Sequence, residues 1–254
     1  MDNKTLRWIN IIATVATLTV NFLANALPIN GLTTGEVSDR FDIYFVPAGY
    51  VFSIWGLIYL GLIAFTIYQA LPSQEDNPHV QRIGLFYALS GVANIAWIFL
   101  WHYERFRLTL PFLALLLVSL IIIFLKLWSG RDKLSLADRW AILVPFSIYL
   151  GWASVATVAN ATQLLYFLDW GGWGISPEVW AVIMLIVAAG IALAMAIRHA
   201  SIAYTAVFVW AYAGIAAKHW GTPIVGITAA VLAGVIAIAM VASIPRRQQV
   251  WATG

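Results

Sequence analysis

Uncharged apolar stretches of roughly 18 residues or more recur along the whole chain, parted by brief polar breaks. They run from Trp8 to Leu27, Pro47 to Leu71, Ile83 to Trp101, Leu108 to Trp128, Trp140 to Phe167, Val179 to Ile197, Ala200 to Ala217 and Pro223 to Ile244. Each can cross a hydrocarbon core of about 30 Å. Lipid offers backbone amides no partner, so only helices and closed barrels span it, and these runs lack the alternation of a barrel strand. The pattern predicts an all-α, polytopic transmembrane bundle of about eight spans. The first stretch has a basic start like a signal peptide, but its apolar run is long and lacks a clear cleavage site, so it reads as a retained first span.

Two connections are long, residues 28–46 and 168–177, the second holding the stretch Asp169-Trp170-Gly171-Gly172-Trp173-Gly174. Short connections elsewhere favour antiparallel neighbours, and the long first loop can fold back over the bundle mouth as a lid. No internal repeat stands out. Composition agrees with lipid as the main solvent: 62% of residues are hydrophobic, 14% aromatic and only 10% charged. The absence of cysteine excludes a disulfide framework, a thiolate nucleophile and Cys-based metal sites.

The net charge of +3 does not mark a nucleic-acid surface, because Lys and Arg sit singly or in pairs at span ends. Their distribution instead sets a topology. With the N-terminus inside, cytoplasmic segments hold Lys4, Arg7, Arg82, Lys126, Arg131, Lys133, Arg139, Arg198, Arg246 and Arg247, against Arg40, Arg105, Arg107 and Lys218 outside. Both termini are thus expected in the cytoplasm and both long loops on the outer side. Trp8, Trp128, Trp140, Trp170, Trp173, Trp180 and Trp220 fall near span ends, where tryptophan anchors the interface.

Ion pumps and proton-coupled transporters keep ionisable groups within the bilayer. Here Lys126, Asp138, Arg139, Glu178, Arg198 and Lys218 all fall at predicted span ends, so those classes are disfavoured, as is a retinal Schiff base on Lys218. His79, His102, His199 and His219 have no mutual helical pairing and read as solvated interfacial side chains. No phosphate loop, nucleophile elbow or zinc-protease pair is present, so no conventional catalytic residues are assigned.

Aromatic rings, small residues and amides remain inside the bilayer, and they recur at helical spacing. Tyr87, Ser90, Gly91, Asn94, Trp97 and Trp101 share one face of the third span, while Trp152, Ala156 and Asn160 share one of the fifth, with Ala153 and Ala159 close by. The second span carries Pro47, Tyr50, Trp55 and Tyr59. A buried amide needs a partner in hydrocarbon, so Asn94 and Asn160 should face the interior, either bonding across helices or contacting a ligand. Flat π surfaces beside small residues suit a flat, apolar aromatic ligand.

These same segments resemble the TspO/MBR family, the tryptophan-rich sensory proteins related to the mitochondrial translocator protein. PAGYVFSIWGLIY, Pro47–Tyr59, is similar to the family's P-P-x-W-V-F-x-x-x-W-x-x-L-Y pattern. ALSGVANIAWIFLW, Ala88–Trp101, resembles its L-N-x-x-W-x-x-F-F segment, and GWASVATVAN, Gly151–Asn160, its A-W-x-x-F-A-T-x-L-N helix. The resemblance covers about residues 8–167 and implies a five-helix domain over residues 1–167 that binds porphyrins, such as haem-like tetrapyrroles, beneath the first loop. It assigns ligand contacts to Trp55, Asn94, Trp97, Trp152, Ala156 and Asn160; the residues' own pattern adds Tyr50 and Tyr59.

Departures from the pattern include Ala48 for the second Pro, Tyr50 for the first Trp, and an interval before Trp55 that is one residue short. Ile148 stands where the fifth-span Pro is expected, with Pro145 three positions earlier. Ala161, Thr162, Gln163 and Leu164 replace the residues associated with sterol binding, so sterol recognition is not carried over. Residues 168–254 read as an appended three-helix segment offering a second site, a partner surface or a homodimer contact. Three functions follow: a receptor or sensor for a tetrapyrrole-like ligand, a transporter of a neutral or amphipathic solute, and an enzyme of photochemical porphyrin breakdown, the last being the activity proposed for bacterial members.

Overall fold

A computed structural model describes residues 2–27, 29–131 and 134–245. Expectations resting on Pro28, Lys133, Arg246 and Arg247 lie outside the described residues. The fold is all-α, with no strand among the described residues. Its helices are α1 (Asn3–Ala26), α2 (Thr34–Asp39), α3 (Ile54–Ala70), α4 (Pro78–Ile83), α5 (Phe86–His102), α6 (Phe106–Trp128), α7 (Leu136–Asp138), α8 (Val144–Phe167), α9 (Pro177–His199), α10 (Ile202–Lys218) and α11 (Pro223–Ala242). Among the described residues, six segments are long and apolar enough to cross a membrane: α1, Gly49–Ala70, α6, Leu136–Phe167, α9 and α11. The apolar helices α5 and α10 are shorter, at 17 residues each.

Regular helix in the second span begins at Ile54, not Pro47, because Gly49–Ser53 forms a tighter 3-10 turn. The fifth span contains a π turn at Arg139–Leu143, just before Pro145. Pro145 has no N–H to donate and its ring crowds the carbonyl one turn back, so widening that turn relieves both defects. Trp8, Trp140, Trp173 and Trp220 are exposed near span ends, the placement that interfacial anchoring requires.

The chain forms two compact units. The first comprises Met1–Arg40 and Trp55–Ala153. Here α1 turns a polar stripe inward: Asn10, Thr14, Thr17 and Asn21, spaced by four, three and four residues, are all buried. Asn10 donates to Gln69 Oε1 at 3.0 Å, and Thr14 Oγ1 lies 2.6 Å from both Thr66 Oγ1 and Tyr87 OH. Glycines set the closest helix approaches, since a Cβ on Gly91 would lie 2.9 Å from Thr17 Oγ1 and one on Gly61 would lie 3.0 Å from Pro145 Cβ. At one end, the buried Asp138 carboxylate caps α7 through Ser135 and accepts from Tyr68 OH at 3.0 Å and Asn77 Nδ2 at 2.7 Å.

At the other end, the first part of the long loop is fastened to α5. Thr33 and Glu36 form a reciprocal cap on α2, and Trp101 Nε1 donates to Thr34 O at 3.1 Å. His102 is 2% exposed, with Nε2 3.1 Å from Thr34 Oγ1 and Nδ1 3.0 Å from Ile29 O. His79 is buried too. The expectation of solvated histidines is thus overturned for both; at His102 the folded loop supplies oxygens for the ring nitrogens in place of water.

The second unit comprises Phe41–Ile54 and Ser154–Gly254. Buried Ala181, Ala188, Ala192 and Ala196 on α9, with Gly226, Ala229 and Ala233 on α11, provide the small surfaces that membrane helices pack through. Tyr212 OH donates to Leu185 O at 2.7 Å and Tyr204 OH to Ser154 Oγ at 3.1 Å. The segment around Pro47 lies along α10: Ala48 N donates to Gly214 O at 3.1 Å and Trp210 Nε1 to Val51 O at 3.1 Å. Gly214 makes that approach feasible, because a Cβ there would stand 2.1 Å from Val51 Cγ2.

Candidate functional site

Five residues singled out by spacing share one aromatic and amide cluster in the first unit: Trp55 and Tyr59 from α3, Asn94 and Trp97 from α5, and Trp152 from α8. Its hub is a residue outside those that helical spacing singles out. Asn21 donates through Nδ2 to Thr17 O at 2.8 Å and to Asn94 Oδ1 at 2.6 Å, while its Oδ1 accepts from Tyr59 OH at 3.0 Å. Both amide hydrogens and the carbonyl are therefore used. Asn94 acts as interhelical glue through its oxygen.

Rings extend from this hub. Tyr59 stacks on Trp55 with centroids 5.6 Å apart and planes 26° from parallel. Trp55 meets Tyr149 edge-on at 6.1 Å and Trp152 at 6.3 Å. Trp97 lies one turn beyond Asn94 and stacks on Trp101 at 5.1 Å and 27°. Asn94, Trp97, Tyr149 and Trp152 are buried, whereas Trp55 and Tyr59 are half-buried, so the cluster opens on the α3 side.

The polar inventory does not balance. The buried indole N–H of Trp97 has no hydrogen-bond partner among the described residues. The second side of the Asn94 amide lies near the Tyr149 hydroxyl, yet no bond of ordinary geometry joins them. Unmet buried donors are costly and few in folded proteins. Aromatic faces, phenols and amide donors without a charged group equip this cluster to stack on a flat molecule and hydrogen-bond its polar edge.

The remaining assigned residues fall in the second unit. Asn160 is buried and its Oδ1 has no partner among the described residues, and Ala156 is half-buried. Tyr50 is 53% exposed, with its ring edge-on to Trp210 at 5.5 Å. Asn21 was legible as the end of the polar stripe on the first span; Tyr149 carried no signal beyond its own apolarity.

No curated protein and no solved structure matched the chain. The model of the TSPO-like protein family matches residues 7–242, a stretch that includes every apolar helix described above apart from the first turn of α1. The chain is thus an integral, multi-pass membrane protein that belongs to the TSPO-like protein family.

Proposed function

We propose that this protein is a membrane receptor that binds a flat, apolar aromatic molecule of the porphyrin type at the Trp55, Asn94, Trp97 and Trp152 cluster. The observation that carries this reading is the Trp97 N–H, without a partner among the described residues and buried beside a half-used Asn94 amide, within a group of rings that opens at Trp55. A ligand edge bearing acceptors would satisfy those donors, and its face would stack on the Trp55–Tyr59 pair. Family membership supports the same assignment.

Titrating purified protein with protoporphyrin IX tests it, followed by the visible absorption band of the porphyrin. Trp97→Phe keeps an aromatic ring and removes the donor, so affinity should fall by at least roughly threefold to tenfold, the loss of about 1 kcal/mol of neutral hydrogen bonding. Trp55→Leu removes a stacking face and should weaken binding by about tenfold. Equal affinities in wild type and in both variants, with melting profiles intact, would exclude the cluster as the binding site.

A further inference from the structure

A cavity of about 480 Å³ lies within the second unit, and none of the first-unit cluster residues lines it. Its volume falls in the range of small-molecule sites. Tyr44, Phe45, Tyr166, Trp170 and Trp180 contribute to its walls, together with Thr162 and small or apolar residues. Asp42 is the only charged residue among those lining it. That carboxylate forms no hydrogen bond or ion pair among the described residues, and it lies within electrostatic reach of Tyr44 and His219. A second carboxylate is bonded to a wall residue, where Glu178 accepts from Tyr44 OH at 2.9 Å.

The aromatic walls are held in place. Trp180 Nε1 donates to Gly172 O at 2.8 Å, fixing the indole against the loop after α8. Trp170 meets Trp180 at 5.2 Å with planes 54° apart, so the two rings form inclined walls and not a closed stack. Asp169, Gly172 and Trp173 adopt left-handed backbone conformations, with φ of 50°, 60° and 53°, which fold the loop back on itself. The Glu178 hydrogen bond raises the Tyr44 hydroxyl above the usual phenol range, so it stays protonated and remains the donor to that carboxylate.

We propose that this cavity is a second binding site, selective for an organic ammonium group carried on an apolar body. Electron-rich ring faces attract a cation, and Asp42 adds a formal negative charge where no lysine or arginine lines the wall. Both features disfavour an anion, and the apolar remainder of the cavity receives the hydrocarbon part. The same chemistry belongs to a dissolved amphipathic amine and to the choline headgroup of a lipid, and a loop next to a span end can meet either.

Equilibrium dialysis of radiolabelled benzyltrimethylammonium against the full chain in maltoside micelles tests the assignment, with neopentylbenzene as the uncharged isostere. The cation should bind at least about fivefold more tightly than the isostere, and Asp42→Asn and Trp180→Leu should each remove most of that preference. Asp42 is exposed, so its variant reports on charge without disturbing packing. Displacement by short-chain phosphatidylcholine assigns the site to a lipid headgroup; retention of the probe assigns it to a dissolved cation. Equal binding of cation and isostere, or a preference untouched in Asp42→Asn, overturns the proposal. Protoporphyrin titration of the same samples reports separately on the first-unit cluster.

Discussion

At the scale of single residues, hydrogen-bond economy separates what the sequence discloses from what it hides. The buried state of Asn94 follows from its spacing with Trp97 and Trp101, since an amide in hydrocarbon must turn inward. Its partner does not follow, because helical periodicity places a residue on a face and leaves the facing helix unspecified; only the fold shows Asn21 beside it. His219 shows the same limit. Read as a solvated interfacial side chain, it is half-buried, with Nε2 3.2 Å from Val46 O. Burial lowers its pKa below the ordinary value and outweighs the opposing pull of the Val46 carbonyl, while Lys218 adds a lesser lowering and Asp42 a still weaker opposition. A depressed folded-state pKa means that the native state prefers neutral imidazole. The stability gained is complete above the unfolded value of about 6.5 and is lost as pH falls through the lower folded value. Melting in detergent at pH 8 and at pH 5 should therefore show wild type losing more stability on acidification than His219→Gln, which keeps an N–H for Val46. Parallel losses would place the acid sensitivity elsewhere.

At the scale of elements, hydropathy located the spans and missed their irregularities. The apolar run from Pro47 contains no charge to signal that its first turns are not α-helix; Gly49 and the contacts of Ala48 and Val51 with α10 decide that. Nor could spacing foresee α2 and α4, six-residue helices that depend on the caps of Thr33 and Asn77. Pro145 is visible in the sequence, but its accommodation by a π turn before it and by Gly61 opposite it is a property of packing. Gly214 gives the sharpest element-scale prediction. Replacing it with Ala sets a methyl 2.1 Å from Val51 Cγ2 and 3.2 Å from Pro47 Cβ. The loop and α10 must then separate, at a cost of about 1–3 kcal/mol. Val51→Ala removes the opposing methyls, so the double variant should recover part of the loss, and melting of the two singles and the double measures the coupling. Additive losses would show that Gly214 does not set this approach.

At the scale of the whole molecule, the positions of charge carry information that the fold of an isolated chain does not record. The all-α, multi-pass class was legible because 62% hydrophobic residues cannot be hidden in a core of 254 residues, and large side chains such as Ile12, Phe22, Leu60 and Ile238 are indeed exposed. The family match runs through α11 and therefore includes the three helices beyond Phe167, for which the five-helix pattern offered no counterpart. The expected eight spans would return the C-terminus to the side where the chain started, and the Lys and Arg excess expected on the N-terminal side would make that side the cytoplasm. The chain contains no cysteine, so the orientation can be read by introducing one thiol at a time. Glu75, Tyr103 and Trp220 are exposed, and the first lies in a segment expected inside while the other two lie in segments expected outside. In intact cells a membrane-impermeant maleimide should label Tyr103→Cys and Trp220→Cys within minutes and leave Glu75→Cys unmodified until the membrane is opened. Labelling of Glu75→Cys alone would invert the topology. Labelling of Tyr103→Cys without Trp220→Cys would mean that one of the apolar helices from α6 to α10 does not cross, with α10, at 17 residues, the first candidate.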